Sequence, residues 1–149
     1  VKPISLEELR LVSDRGRKKG TGELSIRVLI ADDEQSIREV LSDLIHREPG
    51  LELVGTAGDA DEAVDLARKT KPDVALLDVR MPKGGGPGAA KGIRIASPET
   101  SLIAFSAHDD ASSVLAMLDG GVQTYVAKDS PPDQLIEAIR RGAGEGTWR

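Results

Sequence analysis

The feature that most constrains the fold is an alternation. After Leu24, short apolar runs take turns with segments of helical periodicity, and the pattern repeats five times. The runs Ile26–Ala31, Leu51–Thr56, Val74–Asp78, Leu102–Ser106 and Val122–Ala127 read as buried strands. In the first intervening segment, Ile37, Val40, Leu41, Leu44 and Ile45 form an apolar stripe that should stop at Pro49-Gly50. Asp59 with Glu62 reads as a capping box, ahead of a helix that buries Ala63, Val64 and Ala67 and ends at Lys71-Pro72. Val114, Leu115 and Leu118 mark a fourth helix, started by Asp109-Asp110 and closed by Gly120-Gly121. Ser130 is placed to cap the last helix, with Pro131 in its first turn and Leu135, Ile136 and Ile139 facing inward. The third helix is the weakest on propensity. The run "KGGGPGAAKG" predicts a long mobile loop and a short helix within Gly88–Ala96, because an interior glycine costs about 1 kcal/mol relative to alanine.

Strands alternating with helices imply a doubly wound α/β fold, a five-stranded parallel sheet with helices on both faces. In such sheets, sites form beyond the carboxyl ends of the strands. That rule gathers Asp32 and Asp33 after the first strand, Asp78 at the third, Ser106 at the fourth and Lys128 after the fifth.

Composition narrows the class. Of the 149 residues, 39% are hydrophobic, 30% charged and 2% aromatic, so the core must be built from Val, Leu, Ile and Ala. A net charge of −5 argues against this segment binding a nucleic-acid backbone by itself. The absence of cysteine excludes disulfides, thiolate zinc sites and thiol nucleophiles. No apolar run reaches the length of a membrane span and no secretory leader is visible, so a cytoplasmic location is expected. The expected organisation is an N-terminal extension or linker helix over 1–24, a folded domain over 25–144 and a short tail over 145–149. The first residue is Val rather than Met, which suggests a fragment of something longer.

The gathered residues suggest a chemistry. Three carboxylates at one edge resist joint ionisation unless a cation joins them. Oxygen donors with no nearby histidine select a hard ion, and Mg2+ fits. Lys128 adds a point charge suited to phosphate oxygens, and Ser106 adds a hydroxyl donor. A metal, a lysine and a hydroxyl around one carboxylate make a phosphoryl-transfer site, with Asp78 as the nucleophile that forms an acyl phosphate.

The motifs "LIADDE", "ALLDVRMP", "FSA" and "YVAKDS" closely resemble the receiver domain of two-component response regulators, in order and spacing, over about residues 26–143. The run "AKDSPPDQLIEAIRRGAGEG" is most similar to receivers that precede a helix-turn-helix output domain, and no such domain is expected within these residues. The resemblance implies the flavodoxin-like receiver fold with strand order 2-1-3-4-5. It implies that Asp78 accepts phosphate from a sensor histidine kinase or phosphotransfer protein. It further implies that Asp33 is the main Mg2+ ligand beside Asp78, with the Arg80 backbone carbonyl as another and Asp32 acting through water. Lys128 would pair with the phosphoryl group, and Ser106 would bond one of its oxygens. Tyr125 would then swing inward, altering the face made by helix four, strand five and helix five; a homodimer is among the partners such a face allows. Asp129 stands where many members have proline, which leaves the isomer of the Lys128–Asp129 bond open. The resemblance also implies that Arg80 and His108 sit at variable positions bordering the phosphorylation site, which in the family tune how long the phosphate lasts.

Each residue alone has a plainer reading. Asp32 or Asp33 is a helix cap, Asp78 a loop residue, Ser106 a satisfied strand-end hydroxyl, Lys128 a solvated lysine, and Tyr125 core packing. His46 and His108 read as surface residues. "GGGPG" lacks the Gly-Lys-Ser/Thr of a phosphate loop, and the first strand lacks a dinucleotide fingerprint. Two further functions compete. One is a receiver-like module that signals by constitutive contacts or dimerisation, without phosphate. The other is a turnover phosphatase, disfavoured because Arg80 occupies the place of its second carboxylate.

Overall fold

The computed structural model describes residues 25–107 and 111–144. The expectations for 1–24, for His108 and the Asp109-Asp110 helix start, and for 145–149 lie outside these residues. The chain runs β1 (Ile26–Ala31), α1 (Gln35–Arg47), β2 (Leu51–Ala57), α2 (Ala60–Thr70) and β3 (Val74–Leu77). It continues with α3 (Gly85–Ala96), β4 (Ser101–Ser106), α4 (Ala111–Asp119), β5 (Thr124–Ala127) and α5 (Pro132–Gly142). All strand pairs are parallel, and the sheet order is β2-β1-β3-β4-β5, as the resemblance implied.

Period-two alternation along the strands divides the core. Val28, Ile30, Val74, Leu76, Ile103 and Phe105 face α1 and α5, where Leu41, Ile45, Leu135, Ile136 and Ile139 meet them. Leu29, Ala31, Ala75, Leu77, Leu102 and Ala104 face the other way, toward α2, α3 and α4. That second side is rich in alanine on both layers, with Ala63, Ala67, Ala89 and Ala90 on the helices, so helices and sheet approach closely. Beside it, Gly92 sits under α2: a Cβ there would lie 2.5 Å from Val64 Cγ2.

Several elements differ from the sequence reading, each for a physical reason. Helix α3 is a full twelve residues from Gly85, not a short helix after a long loop. Its glycines are needed by packing: a Cβ on Gly86 would lie 2.4 Å from the Asp78 carbonyl oxygen and 2.8 Å from the Met117 sulfur. Gly84 and Gly85 carry positive φ at the helix entry, which glycine adopts without strain. Tertiary contact thus overrides propensity. In α4 the buried residue is Met117, whose thioether fills the notch left by Gly86, while Leu115 and Leu118 are exposed and Val114 is half-buried. In α1, Val40 is exposed because it falls at the rim of the stripe centred on Leu41 and Ile45. Helix α5 starts one residue later than expected, at Pro132, and its N-cap is Pro131, not Ser130. The second of two adjacent prolines disfavours helical ψ at the first, and Pro131 has ψ 146°. Strand β5 begins at Thr124 rather than Val122; Val122 is buried and donates to the Met117 carbonyl, closing the turn after α4. The stops at Pro49-Gly50, Lys71-Pro72 and Gly120-Gly121 stand, as does the Asp59 cap, whose side chain accepts from Glu62 N–H at 2.8 Å.

Candidate functional site

The site is set by the sheet ladder running one step beyond the strands. Asp32 N–H donates to the Ala57 carbonyl at 2.9 Å, Asp78 N–H to Ala31 at 2.9 Å, and Lys128 N–H to Ser106 at 3.0 Å. Three residues far apart in sequence are thereby pinned along one edge, above the last paired residues of β1, β3 and β5. Ser106, paired with Ala127, ends β4 at the same edge and is buried.

Carboxylate oxygens of Asp32, Asp33 and Asp78 lie within 4.8 Å of one another. Asp32 and Asp78 are buried, whereas Asp33 is exposed at the mouth. Lys128 reaches over them, with Nζ 2.7 Å from Asp32 Oδ2, 3.5 Å from Asp78 Oδ1 and 4.0 Å from Glu34 Oε1. Asp32 is tethered on every side: Oδ1 accepts from Glu34 N–H at 2.9 Å, and its carbonyl accepts from Arg38 Nη1 at 2.7 Å. The Lys128–Asp129 bond is trans.

Electrostatics follow from this crowding. Burial first, then the Asp32 charge, push the Asp78 carboxyl up to about 6; Asp33 adds to the rise and Lys128 opposes it. Burial alone would lower the Lys128 ammonium, but Asp32 and Asp78 outweigh it and hold it above its ordinary value. One lysine does not balance three carboxylates. The remaining deficit, and the all-oxygen donor set, fit a hard divalent cation.

Arg80 is exposed, two residues past Asp78, in the loop joining β3 to α3. That loop is braced at both ends, by Gly86 N–H to Val79 O at 2.7 Å and by Ala60 N–H to Pro82 O at 3.1 Å. Tyr125 sits within β5, half-buried, with its ring against the alanine-rich core and its hydroxyl shielded from solvent. It lies farther from the edge than Ser106 or Lys128. His46 is exposed on α1.

Sequence reading missed two supports. Gly86 lets α3 press against the Asp78 backbone, and Arg38 anchors the loop that carries the two aspartates. Arg38 had a visible signal: it precedes Leu41 by three residues and Ile45 by seven, placing a charge on the buried face of α1.

Comparison with known proteins gives the site its context. The model of the response regulator receiver domain matches residues 28–140. The chain is 39% identical over 125 residues to the transcriptional regulatory protein YxjL of Bacillus subtilis, covering 83% of this chain and 57% of that protein. It is 46% identical over 116 residues to the transcriptional regulatory protein PdtaR of Mycobacterium tuberculosis, covering 76% and 54%. A solved LuxR-family two-component response regulator from Aurantimonas superposes with a TM-score of 0.75 at 33% identity, over 80% of this chain and 86% of that one. The chain spans about half the length of the curated relatives it matches. Among the described residues no helix is long and apolar enough to cross a membrane. Matched over most of its length by the family model and by relatives well above 30% identity, the chain belongs to the receiver-domain family of two-component response regulators.

Proposed function

We propose that this receiver is a phosphorylation-dependent switch in which Asp78 is the phosphoacceptor. The observation that carries the reading is the convergence of three acidic side chains and one lysine on a single pocket. In the proposed step, a carboxylate oxygen of Asp78 attacks the phosphorus of a phosphohistidine on a sensor kinase or phosphotransfer protein. The P–N bond breaks, its electron pair stays on the imidazole nitrogen, and an acyl phosphate forms. Asp33, Asp78 and the Arg80 backbone carbonyl would hold Mg2+, with Asp32 acting through water. Bound there, the ion supplies charge neutralisation at the transferring phosphoryl group.

The chain's own residues do the rest. Lys128, already shared between Asp32 and Asp78, moves its charge toward the new phosphoryl oxygens. Ser106 offers its hydroxyl from the end of β4. Engagement of Ser106 draws on the neighbouring strand, where Tyr125 lies, and biases the surface formed by α4, β5 and α5 between two states. Exposed Leu115 and Leu118 on α4 give that surface apolar character. A DNA-binding output is the expected recipient, since relatives of which the matched region is only about half are named transcriptional regulators.

Mg2+ with beryllofluoride, a phosphoryl mimic, should shift the amide resonances of Ser106 and Tyr125 as well as those around Asp78. Incorporation of phosphate from acetyl phosphate should disappear in Asp78→Asn. Amide shifts confined to the immediate neighbours of Asp78 would refute the switch, and incorporation persisting in Asp78→Asn would refute the acceptor.

A further inference from the structure

We propose that Arg38 is a positioning residue for this site: by holding the Asp32 carbonyl, it aims the Asp33 carboxylate at the Asp78 pocket. The inference rests on the phosphoacceptor reading above and assigns a role to a residue outside the acidic cluster. Asp33 is exposed, and among the described residues no hydrogen bond restrains its carboxylate. Its placement is therefore inherited from the backbone. The Asp32 carbonyl and the Asp33 Cα share one planar peptide unit, so fixing the oxygen fixes the direction in which Asp33 departs. Arg38 Nη1, on the fourth residue of α1, holds that oxygen at 2.7 Å.

Arg38 is itself held. Its own N–H donates to the Glu34 carbonyl at 3.1 Å, and Ser42 Oγ bonds its carbonyl at 2.6 Å, so its backbone is rigid helix. Its guanidinium rests over Gly58, where an added Cβ would lie 3.3 Å from Nη1. Gly58 is in turn fixed by Glu62 Oε1, which accepts its N–H at 2.8 Å. The guanidinium thus lies between the loops that follow β1 and β2, bonded to the first and packed against Gly58 of the second. A surface arginine with a free head would offer no such restraint.

The test uses the full chain with Mg2+ as the ligand. Arg38→Met keeps the stem and removes the donors; Arg38→Lys restores one donor and the charge. Calorimetric Kd values are measured well below the melting temperature, where each protein is folded, and amide exchange at Asp33 and Glu34 is followed in EDTA. Arg38→Met should weaken Mg2+ binding about fivefold or more and speed exchange at both amides, with Arg38→Lys intermediate in both. A role in packing alone would lower the melting temperature and leave Kd and these two amides unchanged, which would overturn the proposal. Should Arg38→Met not fold, Gly58→Ala crowds the same guanidinium and should weaken Kd about twofold to threefold; an unchanged Kd there would overturn the proposal equally. If the parent chain shows no Mg2+ binding, the phosphoacceptor reading fails and takes this inference with it. If the parent binds and the Arg38→Met Kd stays within twofold, only the role of Arg38 fails.

Discussion

Replacing Asp78 with asparagine should stabilise the metal-free protein at neutral pH. Folding lifts the Asp78 carboxyl from 3.8 to about 6, chiefly by burial and then by the Asp32 charge. The folded chain therefore holds that proton more tightly than the unfolded chain does. Between those two values the native state binds more protons, so stability falls as pH rises. Above about 6 the whole penalty is in force. At 1.36 kcal/mol per unit, the difference sets an upper limit of about 3 kcal/mol. The side chain is only 7% exposed, so solvent screening removes little of it. Asparagine has nearly the same shape and no charge, and Lys128 keeps its 2.7 Å partner Asp32. Urea unfolding in EDTA should show Asp78→Asn more stable by up to about 3 kcal/mol at pH 7.5, or roughly 6–12 °C in Tm for a chain of this size. The gap should close toward pH 4, with the slope belonging to the parent protein. Equal stability at pH 7.5, or parallel pH profiles, would refute the claim that Asp78 is held in electrostatic debt.

Two other substitutions probe the scaffold and the cation. Gly86→Ala places a Cβ against the Asp78 carbonyl and the Met117 thioether, and should cost about 1–3 kcal/mol in urea unfolding; a neutral outcome would show that α3 is not pressed against the site. Lys128→Met leaves Asp32 and Asp78 facing each other without their cation, and should cost roughly 1–3 kcal/mol at pH 7.5. That loss should shrink as pH falls through the Asp78 titration, and acetyl phosphate incorporation should drop about tenfold or more; a pH-independent loss would assign Lys128 a packing role only.

How legible this molecule was depends on which force decided each part. Asp32 and Asp78 follow strands whose buried apolar runs are plain in the sequence, and although the strand before Lys128 is shorter and mostly exposed, parallel pairing places all three along one edge. Helix α3 was not legible, because glycine propensity argues against it and the compensating contacts come from the Asp78 carbonyl across a loop and from Val64 and Met117, remote in sequence. The phase of α4 was ambiguous for a related reason. Val114, Leu115, Met117 and Leu118 allow more than one apolar face, and only the notch at Gly86 selects Met117. The start of α5 turned on a local rule, the effect of Pro132 on Pro131, that outranks serine's preference for capping. Arg38 carried a signal in its spacing to Leu41 and Ile45, but its partner is a backbone carbonyl, which leaves no mark in a sequence.

The unequal faces of the sheet also bear on how such a chain drifts over generations. Where Val, Ile and Leu meet α1 and α5, one branched side chain can exchange for another of similar volume at small cost. Where Ala31, Ala75, Ala104, Ala63 and Ala90 meet, there is nothing smaller to accept except glycine, and anything larger must push a helix outward. Substitutions should therefore accumulate on the aliphatic side, leaving the alanine side, with Met117 and Gly86 beneath Asp78, as the slowly changing half of the interior.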